Sequence, residues 1–529
     1  MKKQSLPAIP ESERTPAINM LLKVIEQQAD LIEKLSSEVK DLKSEVKRLK
    51  NHPKRPKIKP SNMDKDTGGD GSPSNKKRAG SKKRKKNSSL NIDKIEKIEV
   101  NDFPPNAKFK GYDEFVVQEL EIKPVITKYK LARWLLPDGN YAVGKLPASL
   151  RGSHFGPVLR SYVIYQYHHL CVTQPLLLAQ LREFGIDISS GQLNKLLVEG
   201  KELFHTEKDA ILRAGLSISK YINVDDTGAR HKANNGYCTH IGNDFFAWFK
   251  STASKSRINF LELLRAEHKD YCIDENALTY MKQQRLAAQP FDSLSNHQAT
   301  FDNEQSWHSH LQRLGITKPR HIKIATEGAL IGSILSHGLN IELAIISDDA
   351  GQFNVFKHAL CWVHAERKIN ELIPHSAQQA QEIEYIRQRF WSLYDELKKY
   401  KQTPDKAFKE TLSNQFDKLF STKTEYYSLK QVLERLANNK DELLLVLEKP
   451  ELPLHNNLSE RDIREYVKRR KVSGGTRSQE GRRCRDTFAS LKKTCQKLKI
   501  RFWDYLLDRI KGEKNLPQLP DLVYQAAST

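Results

Sequence analysis

Apolar side chains recur at heptad spacing over residues 19–50. Ile25, Ile32, Val39 and Val46 fall on position a; Leu21, Gln28, Leu35, Leu42 and Leu49 fall on d. β-Branched residues at a with leucine at d predict a parallel two-stranded coiled coil, and so a homodimer or higher oligomer. Glu38 and Glu45 at g are placed to meet Lys43 and Lys50 at e of the second chain. Gln28 at d costs stability and fixes register. An amphipathic helix folded onto its own chain is the alternative. Residues 1–18 read as a disordered tail and 51–104 as a disordered linker, because Pro, Gly, Ser and charge leave almost nothing to bury.

The pattern then changes. Short β-branched runs (Val116, Val117, Val125, Ile126) between Phe115 and Trp134 predict a small β-rich region within 105–150. Residues 151–215 read as helical. Within them, Leu176–Phe184, a turn at Gly185-Ile-Asp187, and Ser190–Leu197 predict two helices joined tightly, either a helix-turn-helix or an ordinary helical hairpin. Tyr221-Ile-Asn-Val224 alternates as a strand and runs into Asp225-Asp226. Asn235-Gly236 is a tight-turn pair, and Tyr237–Ile241 and Phe245–Phe249 follow as strands, which makes a β-meander. Residues 251–320 read as a polar, largely helical insertion. Ile322–Ala325 is expected as a short buried strand and Gly328–His337 as a helix. Ile341–Ile346 is a continuous apolar run, expected in a sheet covered on both faces, and it stops at Ser347-Asp348-Asp349. Cys361–Lys368 begins a helix, residues 377–450 are a second, helical insertion, and 511–529 are a tail.

Charge adds a partner. The formal net charge of +22 points to a polyanion, most simply nucleic acid. Lys76–Arg78 and Lys82–Lys86 would add sequence-independent phosphate contacts that weaken as salt rises. No apolar run approaches the ~18 residues of a membrane span, and no signal-peptide core is present, so a cytoplasmic protein is expected. The six cysteines are scattered with no paired Cys-x2-Cys, which predicts neither disulfides nor structural zinc.

Chemistry concentrates at Pro453–Arg464. A turn feeds a helix there, with Asn456 or Asn457 as N-cap. Ile463, Tyr466 and Val467 face a core, while Glu460, Arg464, Lys468 and Lys471 share another face. A meander, helices and a buried strand, with acids at the ends of the first and fourth strands and on a later helix, is the layout of an α/β ribonuclease-H-like fold. Three carboxylates suffice to hold two Mg2+ or Mn2+ ions roughly 3.5–4 Å apart, a pair that activates an attacking oxygen and stabilises a leaving one. Cys361 and His364 have zinc-like spacing but no second pair nearby. A helix-packing cysteine, with His364 contacting phosphate or orienting a carboxylate, is the preferred reading.

These blocks resemble a known family. Asp225-Asp-Thr227, Ser347-Asp-Asp349 with Cys361-Trp-Val-His364, and Asn456-Asn-Leu-Ser-Glu460-Arg461 look like the three catalytic blocks of insertion sequence 66 type DDE transposases. Gly156–Leu197 and residues 471–510 resemble the flanking parts of that family, so the likeness spans roughly 105–510. It implies a bacterial, nucleoid-associated transposase with a catalytic core at 216–510. Water would attack the phosphodiester at an element end, and the released 3′ hydroxyl would attack target DNA. Carried over residue by residue, it implies Asp225, Asp348 and Glu460 as catalytic and metal-binding acids, with Asp226 and Asp349 as alternates where the family has Glu and Gly. Arg367, Lys368, Arg464, Lys468, Arg470, Lys82, Lys83 and Arg84 are candidate DNA contacts; His364 and Asn457 are candidate supports of the site. Insertion-sequence ends, target DNA and helper proteins of the same element are the implied partners. Two departures stand out. The family's cysteine zinc finger has no counterpart, since no cysteine precedes Cys171, and residues 105–150 occupy its position in degenerate form. The interval from Asp225 to Asp348 is also longer than the resemblance leads one to expect. A decayed transposase that still binds DNA, or a ribonuclease-H-like nuclease, are the alternatives.

Overall fold

A computed structural model describes residues 91–98, 107–113, 115–150 and 152–528, together with Pro104 and scattered positions from Thr15 to Ile32. The chain divides into two units, 1–119 and 120–529. In the first, Met20, Leu21, Val24, Ile25, Gln28 and Ile32 are helical and exposed. The rest of the heptad segment, the g–e pairs and the basic clusters with Lys82, Lys83 and Arg84 lie outside the described residues. Among the described residues no helix is long and apolar enough to cross a membrane.

The second unit opens with a small hairpin, β1 (Arg133–Leu135) and β2 (Tyr141–Val143). Its turn is closed by Asp138, whose carboxylate accepts from the Asn140 backbone N–H at 3.0 Å, with Gly139 at φ +82°. This is less β-structure than residues 105–150 predict. Phe115–Leu131 is almost wholly exposed and belongs to no strand, so its β-branched runs join no ladder. Then α1 (Pro157–Ile164), α2 (Gln174–Glu183) and α3 (Ser190–Val198) follow. A capping box at Ser189 and Gln192 starts α3, and Leu177, Leu181, Leu193 and Leu197 close a small core between α2 and α3. Both helices form within two residues of the expected bounds.

The main sheet follows α4 (Glu202–Ile218). It contains β3 (Tyr221–Gly228), β4 (Tyr237–Gly242), β5 (Ala247–Thr252), β8 (Ala344–Ser347) and β9 (Lys357–Leu360), in the order β5-β4-β3-β8-β9. The first three form the expected antiparallel meander, and β3, β8 and β9 are parallel. Side-chain alternation divides the faces. Ile222, Val224, Trp248 and Ile345 enter the principal core with Ile211 and Leu212 of α4. Ala247, Phe249 and Cys238 face α15 (Asn457–Ser473), meeting Ile463 and Tyr466.

β5 is an edge strand, whose free N–H groups invite foreign pairing. Here α16 (Gln479–Lys497) covers it. Thr494 Oγ1, Ser490 Oγ and a carboxylate oxygen of Asp486 accept from the backbone N–H groups of Ala247, Phe249 and Ser251 at 3.2, 2.9 and 2.8 Å. Four helical residues rise ~6 Å and two strand residues ~6.6 Å, so the periods match over this length.

Between β5 and β8 lie α5 (Arg257–Leu264), β6 (Tyr271–Cys272), α6 (Glu275–Gln283), α7 (Ala288–Ser295), β7 (Thr300–Phe301), α8 (Glu304–Arg313) and α9 (Pro319–Ser336). The strand expected at Ile322–Ala325 is instead part of α9. Pro319 starts the helix, and it is buried continuously from Ile324 to Ile334, so a short apolar run there carries no periodic signal to separate helix from strand. Gly332 lets the β6 backbone approach; a Cβ there would sit 2.3 Å from the Cys272 carbonyl oxygen. The inserted region shares the principal core through Phe260, Met281, Trp307 and Leu330.

After α10 (Trp362–Asn370), the second insertion comprises α11 (Ala377–Gln402), α12 (Lys406–Phe420), α13 (Tyr427–Asn438) and α14 (Lys440–Leu443). It has its own core around Phe390, Leu397, Phe416 and Leu433, entered by Trp362. The chain ends with α17 (Phe502–Lys511) and α18 (Leu519–Ser528). The expected tail at 511–529 is therefore corrected: Leu519 and Val523 are fully buried in the principal core, worth ~1.5–3 kcal/mol each.

Candidate active site

β3 does not stop at its acids. It continues to Gly228, so Asp225 and Asp226 lie within the strand and point to opposite faces. Asp225 shares its face with His240, its direct neighbour on β4, and His240 reaches α15: its Nδ1 lies 2.6 Å from Ser459 Oγ. Asp226 lies opposite Thr239, whose hydroxyl donates to its Oδ1, and Gln352 Nε2 donates to its Oδ2 at 3.1 Å. Asn223 pairs with Ile346, so two residues further along each strand come Asp225 and Asp348. Asp348 follows the end of β8, and its Oδ1 accepts from the Ala350 N–H at 3.2 Å.

The third acid is delivered by a clamp. Trp362 N–H donates to the Leu454 carbonyl at 2.9 Å, and its indole donates to the Leu443 carbonyl at 2.8 Å. The Asn456 N–H donates to Cys361 Sγ at 3.2 Å. The Asn456 side chain donates to the Val224 carbonyl at 2.7 Å and accepts from Asn223 Nδ2 at 2.8 Å. Asn456 is thus a bridge to β3 at the N-cap position of α15, with no side-chain cap bond of its own. One turn later, Glu460 stands over the sheet beside His364 of α10, with its Oε1 3.5 Å from His364 Nε2 and 3.6 Å from Arg367 Nη2. Its Oε2 lies 3.7 Å from Arg464 Nη2. Oε1 is buried yet makes no hydrogen bond.

The electrostatics separate the acids. The Asp225 carboxyl is pushed up to about 7, chiefly by burial; the N–H of Asp226 opposes this, and the charges of Asp348, Asp226 and Glu460 add to it. That coupling brings acids from β3, from the end of β8 and from α15 into one field. Burial also lowers His364 and pushes the Cys361 thiol up to about 11. A protonated, buried thiol engaged with Asn456 fits the packing role expected of Cys361. Asp349 is occupied by ion pairs with Lys368 and with Arg435 Nη2, the latter at 2.6 Å.

Of the candidate DNA contacts, Arg464 and Lys468 are exposed and Arg367 is half-exposed. Lys368 is tied to Asp349, and Arg470 donates to the Gly228 carbonyl and to Thr227 Oγ1. Asn457 opens α15 with its Oδ1 buried and unbonded, while the bridging role falls to Asn456. Sequence reasoning missed His240, Asp462, Gln352 and Arg435. Asp462 Oδ2 lies 3.2 Å from His240 Nε2 and 2.9 Å from Lys497 Nζ, and Oδ1 lies 3.6 Å from Lys493 Nζ. These contacts join α15 to β4 and α16, and no local spacing announces them.

This geometry defines a mixed α/β protein with an acid cluster at a helix–sheet junction. The model of the Transposase IS66 family matches residues 344–483, which include Asp348 and Glu460. The uncharacterized protein y4jO of Sinorhizobium fredii (strain NBRC 101917 / NGR234) is 42% identical over 303 residues, 57% of this chain and 94% of that protein. The chain belongs to the IS66 transposase family.

Proposed function

We propose that this chain is a DNA transposase with a ribonuclease-H-like core that cleaves and joins strands at the ends of an insertion sequence, with Asp225, Asp348 and Glu460 as its catalytic acids. The mixed β5-β4-β3-β8-β9 order, with acids on the central strand, after its parallel neighbour and on a later helix, supports the fold. The observation that carries the site is the joint state of Asp225 and Glu460. One carboxyl is pushed up to about 7 among other acids, and the other has a buried oxygen without a hydrogen bond. Acids converging without enough protein cations fit divalent metal, and two Mg2+ or Mn2+ ions would supply Lewis-acid activation of phosphate oxygens.

The chain's own residues do the rest. Asn456, Cys361 and Trp362 fix the start of α15, so Glu460 is presented on a rigid element. His364 and Arg367 flank its unbonded Oε1 at 3.5 and 3.6 Å. Exposed Arg464 and Lys468 on the same helix offer phosphate contacts beside it. Asp226 and Asp349 are hydrogen-bonded or ion-paired within the chain, and their roles are structural. DNA is the partner, and an oligomer formed through 19–50 would bring two ends together.

The test is strand cleavage on the element's own ends with magnesium or manganese, beside gel-shift binding. Alanine at Asp225, Asp348 or Glu460 removes cleavage and leaves binding; Asp226→Asn and Asp349→Asn retain cleavage. Full cleavage by Glu460→Ala overturns the three-acid site. An inactive unmutated protein that still binds its ends makes this chain a non-catalytic DNA-binding relative.

A further inference from the structure

A second cluster of ligating side chains lies in the region between β5 and β8 and shares no residue with the acids above. The chain leaves α5 through Ala266 at φ +58°, and the loop presents His268 and then Asp270, just before β6. α9 ends at Ser336, with His337 at its C-cap and Gly338 turning the chain at φ +86°. These two exits meet. One ligand atom each from His268, Asp270 and His337 lies within 4.8 Å of the others. The two imidazoles stack at 3.5 Å between centroids and 10° between planes, and His337 Nε2 lies 2.8 Å from Asp270 Oδ1.

We propose that His268, Asp270 and His337 form a zinc-type transition-metal site that fastens the loop after α5 to the end of α9. The donor set decides the class of ion. Two imidazoles and one carboxylate suit Zn2+ and its neighbours Co2+ and Ni2+, whereas Mg2+ and Ca2+ prefer oxygen alone. Zinc ligands about 2.0–2.2 Å from the ion stand roughly 3.3 Å apart in a tetrahedron, and the two imidazoles turn out of their stack so that both in-plane lone pairs meet one ion. Three protein ligands leave one position for water.

The surroundings favour a cation. His337 caps the carbonyl end of an 18-residue helix, where the macrodipole is negative. Two nearby arginines are turned elsewhere. Arg265 donates to the Asp270 backbone carbonyl at 2.6 Å and lies over the Tyr271 ring, and Arg213 pairs with Glu267.

An ion there would close the region between β5 and β8 at both ends. α5 follows β5, and α9 leads through Leu343 into β8 and on to Asp348. Its metal is independent of any ion held by Asp225, Asp348 and Glu460. Such a site departs from the expectation of no zinc. That expectation counted cysteines, whereas this site draws on two histidines brought together only by the packing of α9 beside the α5 loop.

The test uses the untagged full chain, stripped with EDTA and titrated with ZnCl2 by calorimetry, with bound zinc measured after desalting. About one zinc per chain is expected. The His268→Ala/His337→Ala variant should lose more than about ten-fold in affinity, as should Asp270→Asn. A triple variant Asp225→Asn/Asp348→Asn/Glu460→Gln should bind zinc as the unmutated chain does, which separates this site from the proposed catalytic one. Zinc should raise the melting temperature of the unmutated chain and not of His268→Gln, a loop substitution that spares the helix. Equal zinc binding by the unmutated chain and the double-histidine variant overturns the site, as does an unchanged melting temperature in saturating zinc.

Discussion

Glu460 and Asp462 stand two residues apart on α15, and their surroundings are opposites. Asp462 points into the protein between His240, Lys493 and Lys497. Burial alone would raise its carboxyl, but His240 and Lys497 outweigh that and hold it well below the carboxylate range. Glu460 has no guanidinium nearer than Arg367 at 3.6 Å, and it shares its field with Asp225 and Asp348. A carboxylate already supplied with cations anchors its helix. One placed among acids has to be completed from outside. The two roles are separated by the 3.6-residue period, which turns residues two apart toward opposite sides of the helix. The anchor is what lets the open acid stay in place.

The comparison breaks most visibly at the anchor. Asp462→Ala leaves two lysines and a buried histidine without their carboxylate, and should destabilise the chain by about 3–5 kcal/mol in thermal or urea unfolding. A loss below about 1 kcal/mol would remove Asp462 as anchor.

The second effect has the opposite sign. Asp225 keeps its proton to higher pH folded than unfolded, so in chelator the fold loses stability as pH rises from about 4 toward 7. Asp225→Asn removes that penalty. It should stabilise the metal-free chain by on the order of 2–4 kcal/mol above pH 7, and hardly at all near pH 4. A destabilised Asn variant at pH 8 would mean that Asp225 is held by the protein itself.

The smallest effect sharpens the contrast between adjacent acids. Asp349→Asn cuts the pairs to Lys368 and Arg435, both partly exposed, and should cost no more than about 1 kcal/mol. Asp348→Asn should change stability little in chelator and abolish the stabilisation that divalent metal gives.

Much of this arrangement was legible along the chain because it is local. The meander is announced by alternation and the Asn235-Gly236 turn, β8 by an unbroken apolar run, and the 377–450 insertion by helical spacing. β9 was not foreseen, since Lys357-His-Ala-Leu360 is short and half polar and becomes a strand by pairing with β8. The α9 segment misled because a helix buried on all sides shows no stripe. At the site, His364 and Glu460 could be singled out, but the supporting asparagine was taken as Asn457, whereas the bridge to β3 is made by Asn456. The choice between Asp225 and Asp226 is argued by the pleat, and that between Asp348 and Asp349 by the pairing of Asp349 with Lys368 and Arg435. The partnership of Asp462 with His240 exists only after α15 packs on the sheet, so no spacing rule reaches it.

The most direct measurement is anomalous diffraction from crystals of the chain bound to DNA ends and soaked in Mn2+. The account predicts manganese bound by Asp225, with Asp348 and Glu460 each contributing an oxygen about 2 Å from an ion, in a site holding two ions when phosphate is present. Manganese absent from these three carboxylates, or bound instead through Asp226 or Asp349, would contradict it.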